Sequence, residues 1–159
     1  DVRYLRMSNA ILADQTEAIL DVWYGFVAST PELVASFKNN KTGAPDGAYL
    51  GAVRKRFGQW IADTADANYD QAWLDYQYEI GLRHTTPKKN KTDKADSVPL
   101  VNFRYLSALT IPVTTTLKPF LAKKGASAAD VERMHAAWVK SVLLQSILWS
   151  YPYIKDGQF

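Results

Sequence analysis

Only two side chains in this sequence, His84 and His135, could hold a metal through an imidazole nitrogen, and no cysteine offers a thiolate. His84 closes the stretch Trp73-Leu74-Asp75-Tyr76-Gln77-Tyr78-Glu79-Ile80-Gly81-Leu82-Arg83-His84. Within it Trp73, Tyr76, Ile80 and His84 recur at steps of three and four, so they share one helix face. Gln77, Gly81 and His84 form a neighbouring stripe. Its small residue, one turn before the histidine, would let something flat approach the backbone. Thr85 and Thr86 then run into Pro87, which disfavours helix in the residue before it, so His84 is expected in the last helical turn. A histidine there has two uses. As a neutral imidazole it can ligate a metal; as an imidazolium it can compensate the dipole at a helix C-terminus. The local pattern leaves both open.

The elements around that stretch are helical throughout. Val2, Leu5, Arg6, Asn9 and Leu12 suggest a short first helix. Asp14 with Glu17 resembles a capping box opening a second, through about Ala28, whose Trp23, Phe26 and neighbours are apolar nearly all round. Pro31 at a first helical position begins a short helix ending near Phe37, and 38–46 reads as a loop. The helical period returns from about Gly47 through Tyr49, Leu50, Val53, Phe57, Trp60 and Ile61. It breaks over 65–69, and Asp70 is expected to cap the His84 helix. The lysine-rich stretch 88–96 reads as a loop, either a solvated connection or a docking surface for anionic partners. A long helix over about 100–123 follows, with Pro112 expected to kink it. Its Thr114-Thr115-Thr116 run favours strand, but the apolar period continues through it. Gly125 ends it, and Ser127 with Asp130 resembles another capping box for a last helix from about Ala128 to Ser150. Asp156-Gly157 marks a tail. No hairpin signal or internal repeat interrupts this all-α pattern of six to eight helices.

A single domain of 159 residues can bury a full core. The aromatic share is high at 13%, while the net charge of +3 is too weak to argue for nucleic acid. The absence of cysteine excludes a disulfide framework and a thiol nucleophile. No apolar run is long enough to span a bilayer and no signal peptide opens the chain, so a cytoplasmic protein is expected. Because Asp1 stands in what already reads as helix, a preceding segment is expected.

Six segments, in order, resemble the protoglobins, haem proteins of the globin superfamily related to the globin-coupled sensors. They are Leu20-Asp21-Val22-Trp23-Tyr24-Gly25; Arg54-Lys55-Arg56-Phe57-Gly58-Gln59-Trp60; the whole Trp73 to His84 stretch; Lys88-Lys89-Asn90-Lys91-Thr92-Asp93; Lys118-Pro119-Phe120-Leu121; and Trp149-Ser150-Tyr151-Pro152-Tyr153. The resemblance covers nearly the whole chain, although most of the family's N-terminal extension is missing. It implies a globin-like helical sandwich around haem b. His84 matches the proximal iron ligand, and Trp23 and Tyr24 match a distal pair, Tyr24 for ligand contact and Trp23 for gating. Phe57 matches the distal phenylalanine, with Val53 one turn before it. Phe37 matches a phenylalanine stacked on haem, and Arg56 a propionate-pairing arginine. Ile80, Leu106, Leu109 and Val113 complete the pocket, which is expected to be roomier at Leu109 because the family often has an aromatic there. His135 matches no ligand and reads as a surface or interface residue. The family also implies a homodimer built by the last two helices.

Haem iron held by one imidazole keeps an axial position open to a diatomic gas such as O2, CO or NO. A distal phenol can donate to bound oxygen, and a hydrogen bond to a charged acceptor contributes roughly 1.5–3 kcal/mol. A haem enzyme, promiscuous or engineered for carbene transfer or peroxidase-like work, would use the same open site. It would lack a distal histidine as acid–base partner. A haem-free helical interaction module is the third reading, in which His84 does no more than compensate its helix end.

Overall fold

The computed structural model describes all residues of the chain except 155, 156 and 158. Among the described residues there are eight α-helices and no strand, only one isolated antiparallel bridge between Lys38 and Pro45. The helices are α1 (Val2–Leu12), α2 (Thr16–Ala28), α3 (Pro31–Val34), α4 (Gly47–Asp66), α5 (Gln71–Leu82), α6 (Lys89–Asp93), α7 (Phe103–Leu121) and α8 (Ala128–Ser150). Short 3₁₀ turns follow α3, α7 and α8. The chain folds in the all-α class that its pattern predicts. None of the described helices is long and apolar enough to cross a membrane.

Helix α8 is the spine: α1, α5 and α7 all pack on it, while α2 lies across α4 and α7. The core between them contains Leu5, Leu12, Ile19, Leu20, Ile61, Leu117, Leu121 and Met134, all essentially without solvent contact. Trp138 lies at its centre, and its indole N–H donates to the buried Ser8 hydroxyl at 2.8 Å. Several starts follow from local chemistry. Asp70 accepts from the Trp73 amide at 2.8 Å. Ser127 accepts from the Asp130 amide at 3.1 Å while its hydroxyl donates to the Asp130 carboxylate at 2.7 Å. The threonine run in α7 stays helical because each hydroxyl donates back to the carbonyl four residues earlier, at 2.6–2.8 Å.

Four local expectations are corrected. Asp14 does not cap α2; Gln15 precedes it without a side-chain bond, and Asp14 pairs with Lys124 at 2.7 Å. Gln15 itself is not extended (φ −110°, ψ 0°), so no extended residue opens α2 with a capping box. The lysine-rich stretch is not a loop but contains α6, pinned to the fold by its own buried Lys89, which donates to Ser36 and Ser97, and by Asp93, which accepts from Arg56. Helix α7 begins at Phe103 rather than near 100, because the backbone of Val101 is engaged elsewhere. Its N–H donates to the His84 carbonyl at 2.9 Å, and its C=O accepts from the Tyr153 hydroxyl at 2.8 Å. Helix α5 ends at Leu82, so His84 occupies the turn just beyond it, its amide donating to the Gly81 carbonyl at 3.1 Å. In the expected tail, Asp156 lies outside the described residues.

Candidate functional site

A cavity of about 220 Å³ lies between α4 and the end of α5, closed by α2, α7 and α8. Helix α5 presents Tyr76 and Ile80 to it, and the turn just beyond presents Arg83 and His84. The Gln77–Gly81 stripe does not face this space: Gln77 accepts from the Trp149 indole at 2.8 Å, and Gly81 lies against the end of α8. The close approach that Gly81 permits is therefore helix to helix.

The His84 imidazole is fixed from behind. Its Nδ1 lies 2.8 Å from the Ile80 carbonyl, which can only accept, so Nδ1 carries the proton. Burial pushes the imidazole pKa below its ordinary value, and the positive charges of Lys89, Arg56 and Arg83 push the same way against the Ile80 bond. A neutral ring protonated at Nδ1 leaves Nε2 with a free lone pair, the form needed for metal ligation. No group of three His, Asp or Glu side chains among the described residues could chelate a bare ion. His135 is tied within the fold, its Nε2 lying 2.8 Å from the Thr114 carbonyl across the α7–α8 contact.

Tyr24, Val53, Arg56, Phe57, Phe37, Leu106, Leu109 and Val113 all line this cavity with His84 and Ile80. The Tyr24 ring meets Phe57 edge-on at 6.3 Å. Its hydroxyl is buried and has no hydrogen-bond partner. Burial pushes the phenol up to about 12, so it stays protonated as a donor. Trp23 is the exception among the expected site residues. It does not line the cavity but stacks behind Phe57 at 4.8 Å, and its indole N–H donates to the Thr116 hydroxyl at 3.0 Å. Successive helical residues differ by about 100° in direction, so with Tyr24 on the cavity Trp23 turns to α7. A gating role does not fit that position; Trp23 braces Phe57.

Arg56 is already paired. Its two terminal nitrogens donate to both oxygens of Asp93 at 2.7 and 2.6 Å, in a bidentate bridge from α4 to α6. Among the lining residues that sequence reasoning missed are Tyr49, Trp60, Lys89 and Trp149. Two had a signal: Tyr49 lies one turn before Val53 and Trp60 one turn beyond Arg56, on the same face. Lys89, within a run of lysines, had none.

The cavity thus joins a neutral imidazole with an open ring nitrogen, an unpartnered phenol and apolar walls, within an all-α fold. No curated protein matches the sequence. The Protoglobin family model matches residues 1–159, the entire chain, which therefore belongs to the protoglobin family.

Proposed function

We propose that this protein holds a b-type haem through His84 and reversibly binds a diatomic gas, O2, CO or NO. The observation that carries this reading is the Tyr24 hydroxyl, buried and unpartnered on a residue that shares its cavity with His84. A buried hydroxyl without a hydrogen bond costs about 1–3 kcal/mol. Such a group calls for an explanation, and a ligand that completes it supplies one.

The residues present fit the group. A single imidazole is a monodentate donor, suited to a metal already chelated by a macrocycle. Without cysteine there is no thioether attachment, so the haem would be held non-covalently. When bound, haem would supply an iron centre able to take up a gas. Ile80, Leu106, Leu109, Val113 and Phe37 exclude water from around it. Phe57, braced by Trp23, and Val53 narrow the distal space. Tyr24, whose phenol keeps its proton, would donate a hydrogen bond to the bound gas. Arg56 keeps only the N–H groups left over from Asp93 for a porphyrin carboxylate.

A homodimer through the last two helices is part of this reading. It is supported by the exposed apolar side chains Ile111, Val139, Leu143 and Ile147 on α7 and α8. The direct test is a visible spectrum of the reduced protein with and without CO, beside His84→Ala. A Soret band that shifts with CO and is lost or altered in the variant supports the reading. No Soret band after hemin addition overturns it.

A further inference from the structure

Three cationic side chains line the cavity: Arg56, Arg83 and Lys89. Two have carboxylate partners from their own chain. Arg56 is bidentate to Asp93, and the Arg83 Nε donates to Glu79 at 3.0 Å. Lys89 differs. It is 1% exposed, and among the described residues no carboxylate lies within ion-pair distance of it. Its Nζ has only neutral neighbours: the Ser36 carbonyl at 3.1 Å, the Asn90 side-chain oxygen and the Ser97 hydroxyl at 3.4 Å each, and the Tyr49 ring face at 5.1 Å.

A buried ammonium without a counter-charge carries a desolvation penalty that neutral acceptors only partly offset. On the wall of a ligand cavity, the natural source of the missing charge is the ligand. A porphyrin of the haem b type brings two carboxylates. We propose that Lys89, rather than Arg56, is the principal partner of a porphyrin carboxylate in this protein, with Ser97 and Ser36 orienting its ammonium. The assignment rests on the haem reading above and names the residue that fixes how the porphyrin sits. It also gives α6 a role: the helix carries Lys89 to the cavity, while Asp93, one turn later, takes up the competing arginine.

The test compares two porphyrins, haem and haem dimethyl ester, in the wild-type chain and in Lys89→Gln and Lys89→Met. Glutamine keeps donors toward Ser36 and Ser97, so the fold survives even if methionine is poorly tolerated. The readout is the rate of porphyrin loss to an excess of a haem-scavenging apoprotein. The expected result is that free-acid haem leaves Lys89→Gln about ten- to a hundredfold faster than wild type, while the ester leaves both at the same rate. An equal acceleration for both porphyrins makes Lys89 a structural clip and overturns the proposal. So does an unchanged rate in Lys89→Gln beside a large ester-sensitive effect in Arg56→Gln. A wild-type chain that takes up neither porphyrin overturns the haem reading itself, and this assignment with it.

Discussion

Gly81 packs against the main chain of Trp149: a Cβ on residue 81 would fall 2.9 Å from the Trp149 carbonyl oxygen and 3.0 Å from the Pro152 ring. The oxygen is backbone, so it cannot swing aside as a side chain would. Gly81→Ala should therefore destabilise the protein by about 1–3 kcal/mol, as overpacking does. For a chain of this size that lowers the melting temperature by about 2–4 °C per kcal/mol. The His84 amide donates to the Gly81 carbonyl, so displacing this turn should also loosen cofactor retention. Thermal unfolding with and without haem measures both, and an unchanged melting temperature would contradict the packing argument.

A second prediction concerns Gln145, buried in α8. Its carbonyl accepts from the Trp60 indole at 2.6 Å, and its amide nitrogen donates to the Thr64 and Ser141 hydroxyls at 3.2 Å each. Trp60 lines the cavity, so this amide ties the cavity wall to the spine of the fold. Gln145→Leu fills the space but orphans the indole N–H, at about 1–3 kcal/mol. Adding Trp60→Phe removes the orphan, so the two losses should be less than additive in a double-mutant cycle by urea unfolding. Full additivity would mean that the hydrogen bond contributes nothing.

Where the sequence was readable, the controlling chemistry was local. Asp70 and Ser127 cap helices within three residues of themselves, and the apolar period of α4 survives because its own face builds the core. Where reading failed, a distant residue decided. Lys124 takes Asp14 from its expected cap. The His84 carbonyl takes the Val101 amide and delays α7. The small residue at Gly81 suggests a flat ligand, but its neighbour comes from nearly seventy positions later. The same holds at the site. Family resemblance placed Tyr24, Phe57 and His84 around one space. The burial of Lys89 depends on Ser36 and Ser97, and nothing within 88–94 distinguishes it from its solvated neighbours.

Tyr24→Phe should act with opposite signs on function and stability. In the cofactor-free protein the hydroxyl is buried without a partner, so its removal should leave stability unchanged or raise it by up to about 1 kcal/mol. In the haem-loaded protein the same change removes a donor to the bound gas and should speed oxygen release by about ten- to a hundredfold. Denaturant unfolding and stopped-flow oxygen dissociation check the two halves. A cofactor-free variant less stable by 1 kcal/mol or more would mean that the hydroxyl has a partner after all.

The pH dependence of the cofactor-free protein should carry the signature of Lys89. Burial pushes its ammonium down to about 8 from an ordinary value of 10.5. Between those values the unfolded chain binds the proton and the folded chain does not, so stability rises with pH. Below about 8 both states are protonated and the penalty is fully present. The gain across the window is about 3 kcal/mol at most. Tyr49, whose ring faces Lys89, is pushed up to about 12 and works the other way above its ordinary value of 10. The test therefore belongs between about pH 7.5 and 9.5, before phenols titrate. Over that range the stability difference between wild type and Lys89→Gln, from urea unfolding, should shift in favour of wild type as pH rises. The Arg56–Asp93 pair on the adjoining wall is common to both proteins and cancels in the difference. Haem should abolish the trend, because a carboxylate beside Lys89 restores its charge. A flat difference in the cofactor-free protein would mean that Lys89 is not buried as a strained cation.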